Sequence, residues 1–277
     1  MNPENEVKTC PVCDGTQIGT PFTSLPSFLE CRNCGLLFQV RHKDDSSLNR
    51  VYEDEEEDAS ARRIQAEEEE RVRYYHDLFE RIAEGHPQPG RVLEIGCGTG
   101  GLLQRFQKAG WQCEGIEPSP RLRRIAEESF GGSVPIHSER IESIEMDLTS
   151  IPYDLIVGID VIEHLADPVL LSQKAYDCLA TGGTLFLQTP NAGSIRRYLQ
   201  RESWEQLAPD EHLFIHTAQS LKRLLESTGF REVEVIPFSG STTDSPARSV
   251  AMKSIGTLLR WMGMNNGLWA SARKEKA

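Results

Sequence analysis

From Arg91 onward, short apolar runs alternate with stretches of helical spacing. Runs at 91–95, 112–116, 133–136, 153–159 and 183–189 predict strands, and stretches at 101–109, 119–129 and 166–180 predict helices between them. The last of these helices opens on Asp167-Pro168, a capping side chain followed by proline in the first turn, and stops at Gly182-Gly183. Such βαβ alternation implies a parallel sheet covered by helices on both faces, with ligands at the carboxyl ends of its strands. Gly96, Glu117 and Asp160 all fall at those ends. After Pro190 the pattern loosens. A helix at 193–203 leads into W-E-Q-L-A-P-D-E-H-L-F-I-H-T, then come a helix at 218–228 and the strand R-E-V-E-V-I-P-F. Ile255, Leu258, Leu259 and Met262 mark one side of a further helix at 245–263, and G-L-W-A-S-A-R-K makes a closing strand. Upstream, Val72, Tyr75, Leu78, Phe79 and Ile82 give residues 59–84 an amphipathic helical pattern that Gly85, Pro87, Pro89 and Gly90 stop. No internal repeat is visible.

The N-terminal segment follows a different logic. Cys10-Pro-Val-Cys13 and Cys31-Arg-Asn-Cys34 are two C-x-x-C knuckles separated by seventeen residues, a spacing that places four thiolates tetrahedrally around one Zn²⁺. The alternative is a pair of redox motifs, but such a motif normally comes singly on a βα unit. Four cysteine ligands leave no open position for chemistry, so the zinc of this ribbon is expected to be structural. A ribbon this small has little core of its own, and metal loss is expected to unfold it. The acidic runs Glu53–Asp58 and Glu67–Glu70 then mark a solvated linker.

Composition narrows the function classes. The chain has 277 residues, 38% hydrophobic and 26% charged, with a net charge of −12. Nucleic-acid binders usually present a basic face, and the first fifty residues carry five Lys/Arg against six Asp/Glu. No apolar run approaches the roughly 18 residues of a membrane span, and M-N-P-E-N-E-V-K lacks the apolar core of a signal peptide. With Cys97, Cys113 and Cys178 falling singly in core segments, a cytoplasmic location is expected.

The candidate chemistry centres on Arg91–Gly100, R-V-L-E-I-G-C-G-T-G, a strand, a glycine turn and a helix start. Gly96, Gly98 and Gly101 also satisfy G-x-G-x-x-G, so a nicotinamide or flavin site has to be weighed. Glu94, two residues before the first glycine, would repel a pyrophosphate and suits a cationic ligand carrying an amino group and a sulfonium. Glu117, in G-I-E-P-S, is placed for a carboxylate that accepts two ribose hydroxyls.

Taken together, E-I-G-C-G-T-G, G-I-E-P-S, D-V-I-E-H-L-A-D-P, G-G-T-L-F-L-Q-T-P-N and E-H-L-F-I-H-T…L-L-E-S-T-G-F resemble a class I S-adenosylmethionine-dependent methyltransferase. The resemblance is to the broad group that includes ubiquinone-biosynthesis O-methyltransferases and sugar methyltransferases, over about residues 70 to 275. It implies a Rossmann-like seven-stranded sheet whose last strand is antiparallel. It further implies that Gly96, Cys97, Gly98 and Gly100 approach the methionine and ribose, that Glu94 fixes the amino group, and that Glu117 holds the ribose hydroxyls beside Pro118. Arg140 or Ile141 would border the adenine, and Ile159, Asp160 and Val161 would flank the methionine portion. Among His164, His212 and His216, the best placed general base is His212, in P-D-E-H-L, with Glu211 able to orient a ring.

The resulting division is 1–42 zinc ribbon, 43–84 acidic linker and lead-in helix, and 85–277 methyltransferase domain, with 190–217 and 240–265 as substrate-side cap elements. The expected reaction is methyl transfer to an oxygen, nitrogen or carbon nucleophile of a small molecule. Competing readings are an RNA or protein methyltransferase that uses the ribbon for recognition, a non-catalytic ribbon scaffold, and a nucleotide-dependent oxidoreductase. The fourth strand ends in I-D-V-I-E-H, not in the N/D-P-P-Y/F that clasps a nucleobase amino group. Trp204, Phe214, Trp261 and Met262 are candidates for pocket walls, although their spacings also suit core. The acceptor and the oligomeric state are not encoded in any motif.

Overall fold

A computed structural model describes residues 9–39, 72, 74–86, 88–144, 151–209, 211–238 and 265–275. Both acidic runs, the start of the 59–84 helix, the 245–263 helix, Trp261 and Met262 lie outside the described residues.

Two sheets organise the chain. The N-terminal segment supplies β1 (Ile18–Gly19), β2 (Phe28–Cys31) and β3 (Leu37–Gln39) to a small antiparallel sheet. Helix α1 covers 74–84 and leads into β4 (Arg91–Ile95). There follow α2 (Gly101–Lys108), β5 (Gln112–Ile116), α3 (Pro120–Phe130), β6 (Ile136–His137), β7 (Tyr153–Ile159), α4 (Pro168–Cys178), β8 (Leu179–Pro190) and α5 (Ile195–Gln200). The chain then returns to the small sheet as β9 (Phe214–Ile215), and α6 (Ala218–Ser227), β10 (Arg231–Phe238) and β11 (Gly267–Arg273) complete the main one. The main sheet has seven strands in the order β10-β11-β8-β7-β4-β5-β6. As expected, the closing strand β11 runs antiparallel, between β8 and β10.

Period-two alternation sends successive side chains to opposite faces of this sheet. Val92, Leu155, Val157 and Phe186 pack with Leu78, Ile82, Leu102, Phe106 and Ala126 of α1, α2 and α3. Leu93, Ile95, Ile156, Leu185 and Leu187 pack on the other side with Leu171, Leu221, Leu224 and Leu225 of α4 and α6. Caps follow the residue types: Asp167 accepts the N–H groups of Val169 and Leu170 ahead of Pro168, and Ser119 accepts that of Leu122 ahead of Pro120.

Three boundaries depart from the sequence pattern. The helix predicted to run to 180 ends at Cys178, and β8 starts at once. Its register jumps from Tyr153↔Leu179 to Leu155↔Thr184, so residues 180–183 bulge out of the ladder. A Cβ on Gly183 would lie 3.0 Å from the Tyr153 carbonyl oxygen; this glycine serves a close backbone approach inside the strand, not a helix stop. The strand expected at 133–136 forms only at Ile136–His137, after Gly131 and Gly132 take the chain through a turn. Helix α5 is shorter than predicted because Arg201 leaves helical geometry at φ 52°.

The ribbon does not stand alone. Strand β3 pairs antiparallel with β9, matching Leu37 to Ile215 and Phe38 to Phe214. Cys10, Cys31, Cys34, Leu36 and Phe38 share a core with Leu213 and Phe214, and Phe22, Phe28 and Leu37 share another with Trp204, Leu207 and Ile215. Trp204 and Phe214 are therefore core residues. The small core expected of so short a ribbon is completed by a segment about 175 residues further along the chain.

Candidate active site

The glycine loop joins β4 to α2 at the carboxyl edge of the sheet. Gly98 has φ 55°, and a Cβ there would meet open space, so the loop passes its backbone along an open volume. Gly96 approaches the end of β7, where a Cβ would come within 2.6 Å of a Val161 methyl. Gly101 has a packing role, since its Cβ position is filled by the Tyr75 ring at 2.5 Å. The third glycine of G-x-G-x-x-G thus seats α2 against α1, and the dinucleotide pattern gains nothing from it. Cys97 turns its thiol into the core, leaving only its backbone on the loop.

Glu117 clips this loop to the end of β5. Its Oε2 accepts the Gly98 N–H at 2.8 Å and its Oε1 accepts the Ser119 N–H at 2.8 Å. Burial pushes its carboxyl above the ordinary range, opposed by those two N–H groups and by Arg123. The Arg123 guanidinium donates to the Glu117 and Pro118 carbonyls. Glu94 is 3% exposed and its Oε2 has no hydrogen-bond partner. Burial first, and the Glu117 charge second, raise its carboxyl well above the usual range. A buried carboxylate oxygen left unsatisfied beside an open loop is the arrangement a cationic ammonium group would complete.

The segment after β6 is less engaged. Arg140 pairs with Glu142 at 2.9 Å, and Ile141 is buried in the core beside Ile116. Ile159 packs against the α1–α3 side, while Asp160 is exposed and adopts φ 52°, a strained conformation for a residue with a Cβ. Its carboxylate accepts from the Gln188 amide at 3.2 and 3.3 Å. Gln188 in turn accepts from the Tyr74 hydroxyl at 2.6 Å and the Trp269 indole at 2.8 Å. Sequence reasoning missed Gln188 and Tyr74; the only local signal was Gln188 in the T-L-F-L-Q-T-P-N run.

Beyond Asp160 a second cluster forms. One ligand atom from each of Glu163, His164 and His212 lies within 4.8 Å of the others. The two imidazole rings are 4.9 Å apart. His164 Nδ1 donates to the Glu211 carbonyl at 3.0 Å and His212 Nδ1 to the Gln206 carbonyl at 2.9 Å. Because a carbonyl only accepts, both protons are placed on Nδ1, and each Nε2 keeps its lone pair. Burial lowers both rings below the usual histidine range, so they are neutral near pH 7. Glu163, 1% exposed, accepts from the Thr189 hydroxyl at 3.0 Å, and burial raises its carboxyl well above the usual range. His216 is elsewhere in function: fully buried, lowered to about 3 by desolvation, with Nδ1 on the Ser220 hydroxyl that also caps α6. Glu211 orients His164 through its backbone carbonyl, not its carboxylate.

The four ribbon cysteines converge as their spacing predicts, with all sulfurs within 4.8 Å of one another. Cys10 and Cys34 are 3.7 Å apart and Cys13 and Cys31 3.6 Å. A tetrahedron with Zn–S bonds of about 2.3 Å has edges of about 3.8 Å, so the set fits zinc. A cavity of about 440 Å³ opens on another part of the sheet, between Arg81, His86, Glu234, Trp269 and Arg273, and is lined by none of Glu94, the Gly96–Gly100 loop, Glu117, Glu163, His164 or His212.

Strand order, glycine loop and acid-tipped β5 define a class I S-adenosylmethionine-dependent methyltransferase fold. The family model described as "Methyltransferase domain" matches residues 66–235, and the chain belongs to that family. The ubiquinone biosynthesis O-methyltransferase of Xanthomonas campestris pv. campestris is 35% identical over 107 residues, 37% of this chain and 44% of that protein. The human mitochondrial ubiquinone biosynthesis O-methyltransferase is 29% identical over 195 residues, 61% of this chain and 52% of that one. The chain thus spans about half the length of the curated relatives it matches. Among solved structures, an S-adenosylmethionine-dependent methyltransferase from Archaeoglobus fulgidus aligns with a TM-score of 0.52 at 20% identity, covering 72% of this chain and 94% of that one. A Haemonchus contortus phosphoethanolamine N-methyltransferase 2 in complex with S-adenosyl-L-methionine aligns at 0.52 and 18%, covering 71% and 51%. These last two likenesses concern the fold.

Proposed function

We propose that this protein transfers a methyl group from S-adenosylmethionine to a hydroxyl of a small-molecule acceptor. The observation that carries the reading is the unpartnered, buried Glu94 oxygen beside the Gly96–Gly100 loop, with Glu117 clipping the same loop. Bound S-adenosylmethionine would supply a sulfonium-bound methyl group for in-line displacement by the acceptor oxygen, with S-adenosylhomocysteine as the leaving group. Glu94 would receive the ammonium group directly or through a water, and Glu117 has lone pairs left for ribose hydroxyls beside Pro118. Arg140 or Ile141 would border the adenine. The Ile159–Val161 corner would hold the methionine portion. Catalysis then rests on alignment and water exclusion, with the neutral His212 Nε2 placed to take the acceptor proton.

A second reading of the acceptor side rests on the same cluster. One carboxylate and two imidazoles, each ring fixed through Nδ1 by a backbone carbonyl, form a donor set suited to a divalent cation. An ion there would draw acceptor hydroxyls in as ligands and lower their pKa. The four converging sulfurs support a structural zinc in the ribbon.

Calorimetric titration with S-adenosylmethionine, S-adenosylhomocysteine and NADH tests the donor. The first two are expected to bind and NADH not to. Glu117→Ala is expected to weaken S-adenosylmethionine binding about 10- to 100-fold, since it removes both the loop clip and a ribose acceptor. Absence of S-adenosylmethionine binding at millimolar concentration would overturn the enzyme reading.

A further inference from the structure

The ribbon touches the acceptor side of the site through one buried side chain. Gln39, at the end of β3, donates from Nε2 to two carbonyl oxygens, those of Pro209 at 2.8 Å and His212 at 2.6 Å. Its backbone N–H donates to the Leu213 carbonyl at 3.0 Å. The neighbouring pairs Leu37↔Ile215 and Phe38↔Phe214 continue this ladder. On its other side the same segment is tied to the site, because the Leu213 N–H donates to the Glu163 carbonyl at 2.7 Å. The strap, described at 206–209 and 211–215, therefore lies between a ribbon strand and the turn that carries Glu163 and His164. It also supplies the carbonyls of Gln206 and Glu211 that orient His212 and His164.

We propose that Gln39 is a positioning residue, through which the N-terminal ribbon holds the Glu163–His164–His212 cluster in working geometry. This rests on the proposed acceptor-side role of that cluster. Two carbonyls aimed at one point repel each other unless a donor lies between them, and the two Nε2 hydrogens of Gln39 meet that need. Without them the Pro209 and His212 carbonyls are left unpaired, and the turn that presents the Gln206 and Glu211 carbonyls to the two imidazoles keeps only the β3–β9 backbone ladder on its ribbon side. Among the described residues, the ribbon's hydrogen bonds to the rest of the chain fall on residues 197–217, and none on Gly96–Gly100, Glu94 or Glu117, while Val12 packs against the main core. The ribbon thus acts on acceptor chemistry while leaving donor binding alone.

The test uses the full chain and needs no acceptor. Gln39→Met keeps the length and apolar volume of the side chain and removes both donors. In the variant labelled at histidine ¹³Cε1, the His164 and His212 signals are expected to move, while those of His86 and His137, away from the strap, stay in place. The Leu213 amide is expected to exchange with deuterium about ten-fold faster, and amides of Val92–Ile95 at the wild-type rate. S-adenosylmethionine affinity and zinc content should equal those of wild type. Glu30→Gln, which loosens the ribbon at its Arg197 contact, serves as control and should leave both histidine signals unchanged. Unmoved His164 and His212 signals in Gln39→Met would overturn the proposal. So would an equal shift in Glu30→Gln, or a parallel loss of S-adenosylmethionine affinity, either of which marks general loosening. Failure of the wild type to bind S-adenosylmethionine would instead sink the methyltransferase reading and is seen in a separate measurement.

Discussion

Glu94 and His216 each bury a polar atom without a partner, yet pH acts on them in opposite directions. The folded state holds the Glu94 carboxyl well above its ordinary value, so the protonated form is the one the fold favours. Its contribution to stability is present at low pH and is lost as pH rises through the raised folded value. His216 is held near 3 against an ordinary 6.5, so the unfolded chain binds the extra proton between those values. That contribution is present above 6.5 and is lost as pH falls toward 3. Glu94→Gln is therefore expected to raise the urea midpoint of the ligand-free protein at pH 8 while leaving the acid limb unchanged. A further alkaline loss should remain from Glu163, whose carboxyl is raised by burial and by Asp160. The same variant is expected to bind S-adenosylmethionine about ten-fold more weakly, because a neutral amide pairs less strongly with an ammonium than a carboxylate does. An unchanged pH dependence in urea melts would remove Glu94 from this account. In wild type, stabilisation by S-adenosylmethionine should grow as pH rises, since the ligand cation restores the charged carboxylate.

At the scale of elements, the ribbon shares a sheet and a core with residues 213–215. Cys31 lies in β2 and in the core shared with Leu213 and Phe214. Cys31→Ser is expected to abolish zinc retention, measured as metal per chain, and to lower the first thermal transition by several degrees. Hydrogen exchange should rise in β1–β3 and in β9 together, and stay low in β4 and β7. Exchange confined to the ribbon would show that β9 holds without its partner strand. Glycine placement belongs to this scale as well. The pattern marked Gly182-Gly183 as a helix stop, whereas the backbone crowding at Gly183 comes from a bulge against Tyr153, a neighbour that periodicity cannot identify.

For the whole molecule, a net charge of −12 and a ribbon engaged with the 192–217 region leave little for a phosphate backbone to bind. No retention of RNA is expected in filter binding at about 150 mM salt, where non-specific contacts are already screened. Saturable binding there would revive a nucleic-acid acceptor. Much of this protein was determined by contiguous sequence. Apolar period, proline caps and the E-I-G-C-G-T-G and G-I-E-P-S motifs are local, and they placed β4, β5, β7, α4, α6, β10 and β11 within a few residues. The four cysteines were legible for the same reason, since two short knuckles each carry half of a tetrahedron. Only the tertiary structure decided which distant segments meet. It set His212 beside Glu163 and His164 and left His216 in the core, although both histidines lie in one short E-H-L-F-I-H run. It also placed Gln39 under the strap 170 and 173 positions away. Such pairings depend on packing and on satisfying buried carbonyls across the fold, and no local pattern carries that information.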